Sequence, residues 1–162
     1  MGMIDISAKA PTLREAVVEA RVIMPPEVIS LIKKDKVPKG NVLEQARLAG
    51  VLAAKQAPYL LPLCHPISLE HVQIGFLFSK NQIRITTTVK ARAKTGVEME
   101  ALVATAICAL TVYDMCKPLA KDIVISDLKL LKKSGGKSGI YIRKSILRLR
   151  SGLMVSGVEP SK

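Results

Sequence analysis

The segment 83–93 alternates in a way that only a half-buried β-strand accommodates. Ile83, Ile85, Val89, Ala91 and Ala93 point one way, and Arg84, Thr86, Thr88, Lys90 and Arg92 the other. Just upstream, Val72, Ile74, Phe76 and Phe78 alternate over 71–78, and Lys80-Asn81 supplies a tight connection. The two runs predict an antiparallel hairpin with one face on the core and the other wet or functional.

Helical segments flank this hairpin. Pro25-Pro26 opens a short helix reaching about Asp35, proline being tolerated in a first turn. After a loop at 37–40, Asn41 with Glu44 marks a helix start that predicts a run to about Gln56, before Pro58. Its small residues Ala46, Ala49, Gly50, Ala53 and Ala54 predict close packing against a sheet or another helix. Thr95 and Glu98 have capping-box spacing, and a long helix is expected from there to Lys117, stopped by Pro118. Residues 123–131 read as a strand and 134–139 as a glycine loop. Residues 3–7 alternate as a short strand.

Residues 12–24 satisfy two patterns. Thr12 and Glu15 have capping-box spacing and Leu13, Ala16, Val17 and Ala20 make a helical stripe, yet Ala16, Val18, Ala20, Val22 and Met24 alternate. Taken as a strand, the segment completes β-α-β-β-α-β, the ferredoxin-like order. The expectation is an α+β fold: an antiparallel sheet with helices on one face, plus a short N-terminal strand and an extra short helix. Residues 1–144 would form one catalytic domain and 145–162 a weakly ordered tail.

Composition narrows the function. The chain has 162 residues, 25 Lys+Arg and 13 Asp+Glu, a net charge of +12, and is 49% hydrophobic, which excludes disorder for most of it. No apolar run is read as approaching the ~20 residues of a membrane span. The start carries no secretory-signal pattern. Cys64, Cys108 and Cys116 are too scattered for a disulfide framework, which suits a reducing cytoplasm. Without a CxxC pair, and with only His65 and His71, no structural metal site is expected. Segment 117–150 holds ten lysines and arginines against two aspartates, a field that attracts polyanions. With only five aromatics, stacking on nucleic acid is disfavoured.

Several side-chain groupings have chemical potential. Asp114 and Lys117 share a helix face at i, i+3 among apolar neighbours, as either a surface ion pair or an acid/base pair on a partly buried helix end. Lys39 precedes a helix N-terminus, where anions are favoured. Glu98 reads first as a cap, and Glu100 caps nothing. Cys64-His65-Pro66 sets a thiol and an imidazole in a proline-braced loop; adjacent residues do not make a nucleophile–base pair, but His65 can orient a substrate. His71 reads as merely exposed. Gly136-Lys137-Ser138 resembles the end of a P-loop, but Leu131 stands where the first glycine is required. What remains is a glycine loop that brings amides and an ammonium to phosphate, or an ordinary turn.

Taken together, Asp5-Ile6-Ser7-Ala8-Lys9, Leu13-Arg14-Glu15-Ala16, Lys39-Gly40-Asn41-Val42, Ala46-Arg47-Leu48-Ala49-Gly50, Leu61-Pro62-Leu63-Cys64-His65-Pro66, Thr95-Gly96-Val97-Glu98-Met99-Glu100-Ala101-Leu102, Tyr113-Asp114-Met115-Cys116-Lys117 and Lys133-Ser134-Gly135-Gly136-Lys137-Ser138-Gly139 resemble the molybdenum cofactor biosynthesis protein C family over about residues 3–141. The resemblance implies a phosphorus–oxygen lyase. Its substrate would be 3′,8-cyclo-7,8-dihydro-GTP, its products cyclic pyranopterin monophosphate and pyrophosphate. No redox cofactor or protein-bound metal is implied, with Mg²⁺ assistance on the triphosphate open. The likeness puts Asp114 and Lys117 at the catalytic centre. It has Lys39 and Lys137 hold phosphates or assist proton transfer and makes Leu63, Cys64, His65, Met99 and Glu100 substrate contacts, with Glu98 supporting them. Lys9 and Arg14 would be triphosphate ligands. It also implies a cytoplasmic hexamer, a trimer of dimers with sites at subunit interfaces, and no membrane or nucleic-acid partner. Glu100 and Asp114 stand fourteen positions apart on one helix, roughly 21 Å along its axis, so a two-fold pairing of chains is what would join them. The rival readings are a basic ferredoxin-like RNA-binding module and a structural assembly protein.

Overall fold

Twelve consecutive residue pairs, from Thr12 opposite Ala93 to Ile23 opposite Gln82, settle the ambiguous segment as a strand. The computed structural model describes residues 2–137 and 139–144. In chain order the elements are β1 (Thr12–Ile23), α1 (Pro26–Lys33), α2 (Val42–Leu60), β2 (His71–Phe78), β3 (Gln82–Ala93), α3 (Glu98–Cys116), β4 (Val124–Ser134) and β5 (Tyr141–Ile142). They make a five-stranded sheet of order β2-β3-β1-β4-β5, with every neighbouring pair antiparallel. This is the expected α+β, ferredoxin-like arrangement, extended at one edge by β5.

Alternation decides which side the helices cover. Ala16, Val18, Ala20 and Val22 of β1 and Ile83, Ile85, Val89 and Ala91 of β3 are all buried beneath α3, whose Ala101, Ala104, Cys108 and Val112 repeat at helical spacing. α2 lies alongside α3. A Cβ on Gly50 would fall on the Ile74 side chain and sit 3.0 Å from the Ala104 carbonyl, so only glycine permits this approach. The opposite face of the sheet carries paired charges. Glu19 is nearly buried among Arg21, Arg84 and Lys129, and Glu15 pairs with Lys90 and Lys132. Phe76 and Phe78 lie on the helix side, under Arg47 and Lys33 at 5.3 and 5.1 Å from the ring centres.

Several local expectations are corrected. Residues 3–7 form no strand: Asp5 accepts the amide of Ser7, Lys9 turns back onto Ile6, and no neighbouring strand takes the backbone. α2 continues through Pro58 to Leu60, because the amide a proline lacks falls in the last turn and Leu61 N–H still reaches the Ala57 carbonyl. Neither capping box forms. Thr12 and Glu15 lie within β1, and α3 begins at Glu98 behind Val97 with no side-chain cap. α3 itself is long and apolar enough to cross a membrane by length and composition alone, contrary to the reading that no run comes near; half of it is buried as the core helix. The tail from 145 to 162 lies outside the described residues.

Candidate active site

The two ends of α3 carry two different carboxyl environments. At the C-terminal end, Asp114 is half exposed and held between two lysines. Lys117 Nζ donates to Oδ1 at 2.7 Å, and Lys39 Nζ donates to Oδ2 at 2.8 Å and to the Asp114 main-chain carbonyl at 3.0 Å. Lys117 arrives by helical spacing. Lys39 comes from the loop before α2, where Gly40 at φ +95° turns the chain into Asn41, whose side chain caps the helix through Glu44 N–H. The Lys117 and Lys39 hydrogen bonds hold the Asp114 carboxyl down at about 2, and Asp114 in turn raises Lys117. The group is exposed rather than partly buried, so it is open to a phosphorylated ligand.

At the N-terminal end, Glu100 is 1% exposed. Cys64 Sγ donates to its Oε1 at 3.6 Å, while Oε2 has no partner. Burial pushes the Glu100 carboxyl up; burial and then the Glu100 charge push the Cys64 thiol up. α3 therefore carries a carboxyl whose pKa burial raises and, roughly 21 Å further along its axis, one held ionised. Cys64, His65, Leu63 and Met99 face Lys9 and the N-terminal segment across a cavity of about 300 Å³.

Two adjoining cavities extend this end. One, about 430 Å³, is lined by Arg14, Glu98, Lys133 and the glycine loop. Here Lys133 Nζ donates to Glu98 Oε2 at 2.9 Å, so Glu98 is an ion-pair partner and not a cap. The other, about 650 Å³, presents Lys9, Arg14, Lys94 and Lys137 with no carboxylate among its described lining residues. Arg14 shapes both. Its guanidinium donates to the Ala93 and Lys94 carbonyls, each at 3.2 Å, and lies against the glycine loop. A Cβ on Gly136 (φ +72°) would collide with that guanidinium, and one on Gly135 (φ +96°) with the Leu13 carbonyl.

The structure thus brings Lys39, Asp114 and Lys117 together. It brings Lys9, Arg14, Leu63, Cys64, His65, Glu98, Met99, Glu100 and Lys137 together at the other end of α3. It does not join the two groups within one chain. His71 is exposed on β2. Sequence reasoning assigned no role to Lys133 or Lys94. The signal for Lys133 was its place across from Ala16 in the β1–β4 register, which no local pattern displays. Among the described residues no group of three His, Cys, Asp or Glu side chains has metal-holding proximity.

The MoaC family matches residues 3–136. The chain is similar to the cyclic pyranopterin monophosphate synthases of Heliobacterium modesticaldum and Pelobacter propionicus, each 48% identical over 144 residues, which cover 88% of this chain and 91% and 90% of theirs. That of Roseiflexus sp. is 46% identical over 142 residues, covering 86% of this chain and 90% of its own.

Proposed function

The chain belongs to the MoaC family and is an enzyme of molybdenum cofactor biosynthesis, making cyclic pyranopterin monophosphate; we propose that it does so from 3′,8-cyclo-7,8-dihydro-GTP, releasing pyrophosphate. The observation that carries the reading is the pair of opposed carboxyl environments on α3, one ionised between two lysines and one buried. The reaction needs both kinds of proton handling. The imidazole ring opens by hydrolysis and recloses as a pterin. A sugar hydroxyl then forms a new bond to the α-phosphorus while the bond to the leaving pyrophosphate breaks, and the hydroxyl proton passes to a base.

Asp114 serves as that base. It is tied down by Lys39 and Lys117; a phosphate that draws Lys39 away removes one of its two donors and raises its basicity. Lys117 returns the proton. Lys39, Lys9, Arg14 and Lys137 take up triphosphate charge, with Lys133 beside Glu98. Cys64, His65, Leu63 and Met99 hold the base-derived ring against Glu100. The steps are redox-neutral, so they call on no redox cofactor, and any Mg²⁺ would assist on the substrate's phosphates.

A single chain splits these groups between opposite ends of α3, so the working unit is a two-fold dimer in which Glu100 of one chain meets Asp114 of the other, arranged three to a hexamer. The outward apolar side chains support this pairing: Met99 and Leu110 on α3 with Leu48, Leu52 and Tyr59 on α2 are all exposed. Three free cysteines fit a cytoplasmic setting. Phe76 and Phe78, turned toward the helices, leave the open sheet face without the stacking platform of an RNA-binding module. Incubation with 3′,8-cyclo-7,8-dihydro-GTP should yield cyclic pyranopterin monophosphate and pyrophosphate in equal amounts; formation of neither product overturns the reading.

A further inference from the structure

The N-terminal segment, residues 2–9, forms no helix or strand, yet Gly2, Met3, Ile4 and Ile6 wall the cavity opposite Cys64, His65 and Met99. Its internal hydrogen bonds are local: Ser7 N–H to Asp5 Oδ1 at 2.8 Å and Lys9 N–H to the Ile6 carbonyl at 3.1 Å. Among the described residues, one hydrogen bond ties it to the body of the protein. Lys94 Nζ donates to the Ser7 carbonyl at 2.9 Å.

Lys94 also lines the large basic cavity with Lys9, Arg14 and Lys137. An ammonium has three donors, and the Ser7 carbonyl takes one. Two of the Arg14 nitrogens are committed to the carbonyls of Ala93 and Lys94 itself, so Arg14 braces the backbone that carries Lys94. Cations without a carboxylate among the described lining residues suit a polyanion with many acceptor oxygens.

We propose that Lys94 is a positioning residue that couples occupancy of the basic cavity by a polyphosphate to closure of the 2–9 segment over the ring-binding loop. One N–H holds Ser7, the others meet phosphate oxygen, and the bound anion fixes the ammonium that tethers the segment. Binding energy gained at the phosphates, remote from the reacting ring, is thereby spent on closing the wall around that ring. The proposal rests on the polyphosphate reading of the site but names a residue and a motion that the reaction itself does not require.

Inorganic tripolyphosphate tests it without turnover. In the full-length protein its addition should slow amide hydrogen exchange across residues 2–9. Lys94→Met should bind tripolyphosphate about tenfold more weakly, the scale of one charge-assisted contact, and should show fast exchange in 2–9 whether or not the anion is present. Lys94→Arg, which keeps charge and donors, should restore both. A Lys94→Met protein that is folded by thermal melt and binds with wild-type affinity, or that still gains protection in 2–9, overturns the coupling. So does a Lys94→Arg protein that fails on both counts. Lys94-dependent protection in a wild-type protein that does not turn over the cyclised nucleotide would remove the catalytic reading and leave this one standing.

Discussion

Lys39 grips Asp114 twice, through the carboxylate at 2.8 Å and the main-chain carbonyl at 3.0 Å, across 75 positions of sequence. The double contact ties the loop before α2 to the last turn of α3 and leaves the other Asp114 oxygen to Lys117. Because all three side chains are about half exposed, the triad contributes charge placement and little packing. Asp114→Ala and Lys117→Ala should each lower kcat by about 10²–10⁴-fold with the melting temperature close to wild type. A variant that is folded and fully active removes its residue from the mechanism.

Glu100 reverses the usual carboxylate dependence on pH. Its folded pKa lies above its ordinary value of 4.5, so the native state holds the proton where the unfolded chain has released it. Stability from this group is complete below about 4.5 and declines as pH rises from there through the folded value. Glu100→Gln, which mimics the neutral form, should flatten that decline. It should raise the melting temperature at pH 7 by about 2–4 °C for each ~1 kcal/mol of strain relieved. Paired melting curves at pH 4 and pH 7 measure this; an unchanged slope between the two pH values would mean that Glu100 does not carry it.

The sheet was legible because the alternation over 83–93 and the β-α-β-β-α-β order agreed, and that order overrode the helical stripe at 12–20. Capping-box spacing failed twice, for two reasons. Thr12 and Glu15 lie within β1, where no helix start exists to be capped, and α3 begins at Glu98 behind Val97, which leaves Thr95 outside the cap position; Glu15 and Glu98 pair with lysines instead. Asn41 directly precedes its helix and does cap it, accepting Glu44 N–H. The same division runs through the site. Asp114 and Lys117 were readable as helix neighbours. Lys39 was readable as a cation before a helix N-terminus, but its grip on Asp114 spans 75 positions and no local pattern shows it; the places of Lys94 and Lys133 depend on strand register and on the path of the N-terminal segment, which no periodicity encodes.

Gly136→Ala should disturb the phosphate end selectively. The residue sits at φ +72°, where a Cβ costs about 1–2 kcal/mol and would strike the Arg14 guanidinium. Displacing Arg14 loosens its hold on the Ala93 and Lys94 carbonyls. The expected signature is a several-fold rise in KM with a smaller effect on kcat and a melting point lower by a few degrees. An equal loss in kcat and in kcat/KM, with KM unchanged, would place the loop in the chemical step instead.

Subunit complementation tests whether α3 serves two sites. Glu100 and Asp114 are separated by fourteen residues of continuous helix, roughly 21 Å, and nothing in the fold shortens that path. Glu100→Gln keeps the shape of a buried side chain, and Asp114→Ala removes an exposed one, so both variants should fold while each homodimer is inactive. In a mixed two-fold dimer the partners are reciprocal: one site combines both defects and the other combines neither. With random exchange, half of the dimers are mixed and each has one intact site of two, so activity should return to about a quarter of wild type. The regain should follow the rate of subunit exchange and vanish when exchange is blocked by cross-linking the homodimers beforehand. If fully exchanged mixtures stay inactive, Glu100 and Asp114 act within one chain or in separate steps, and the interface location of the site is wrong.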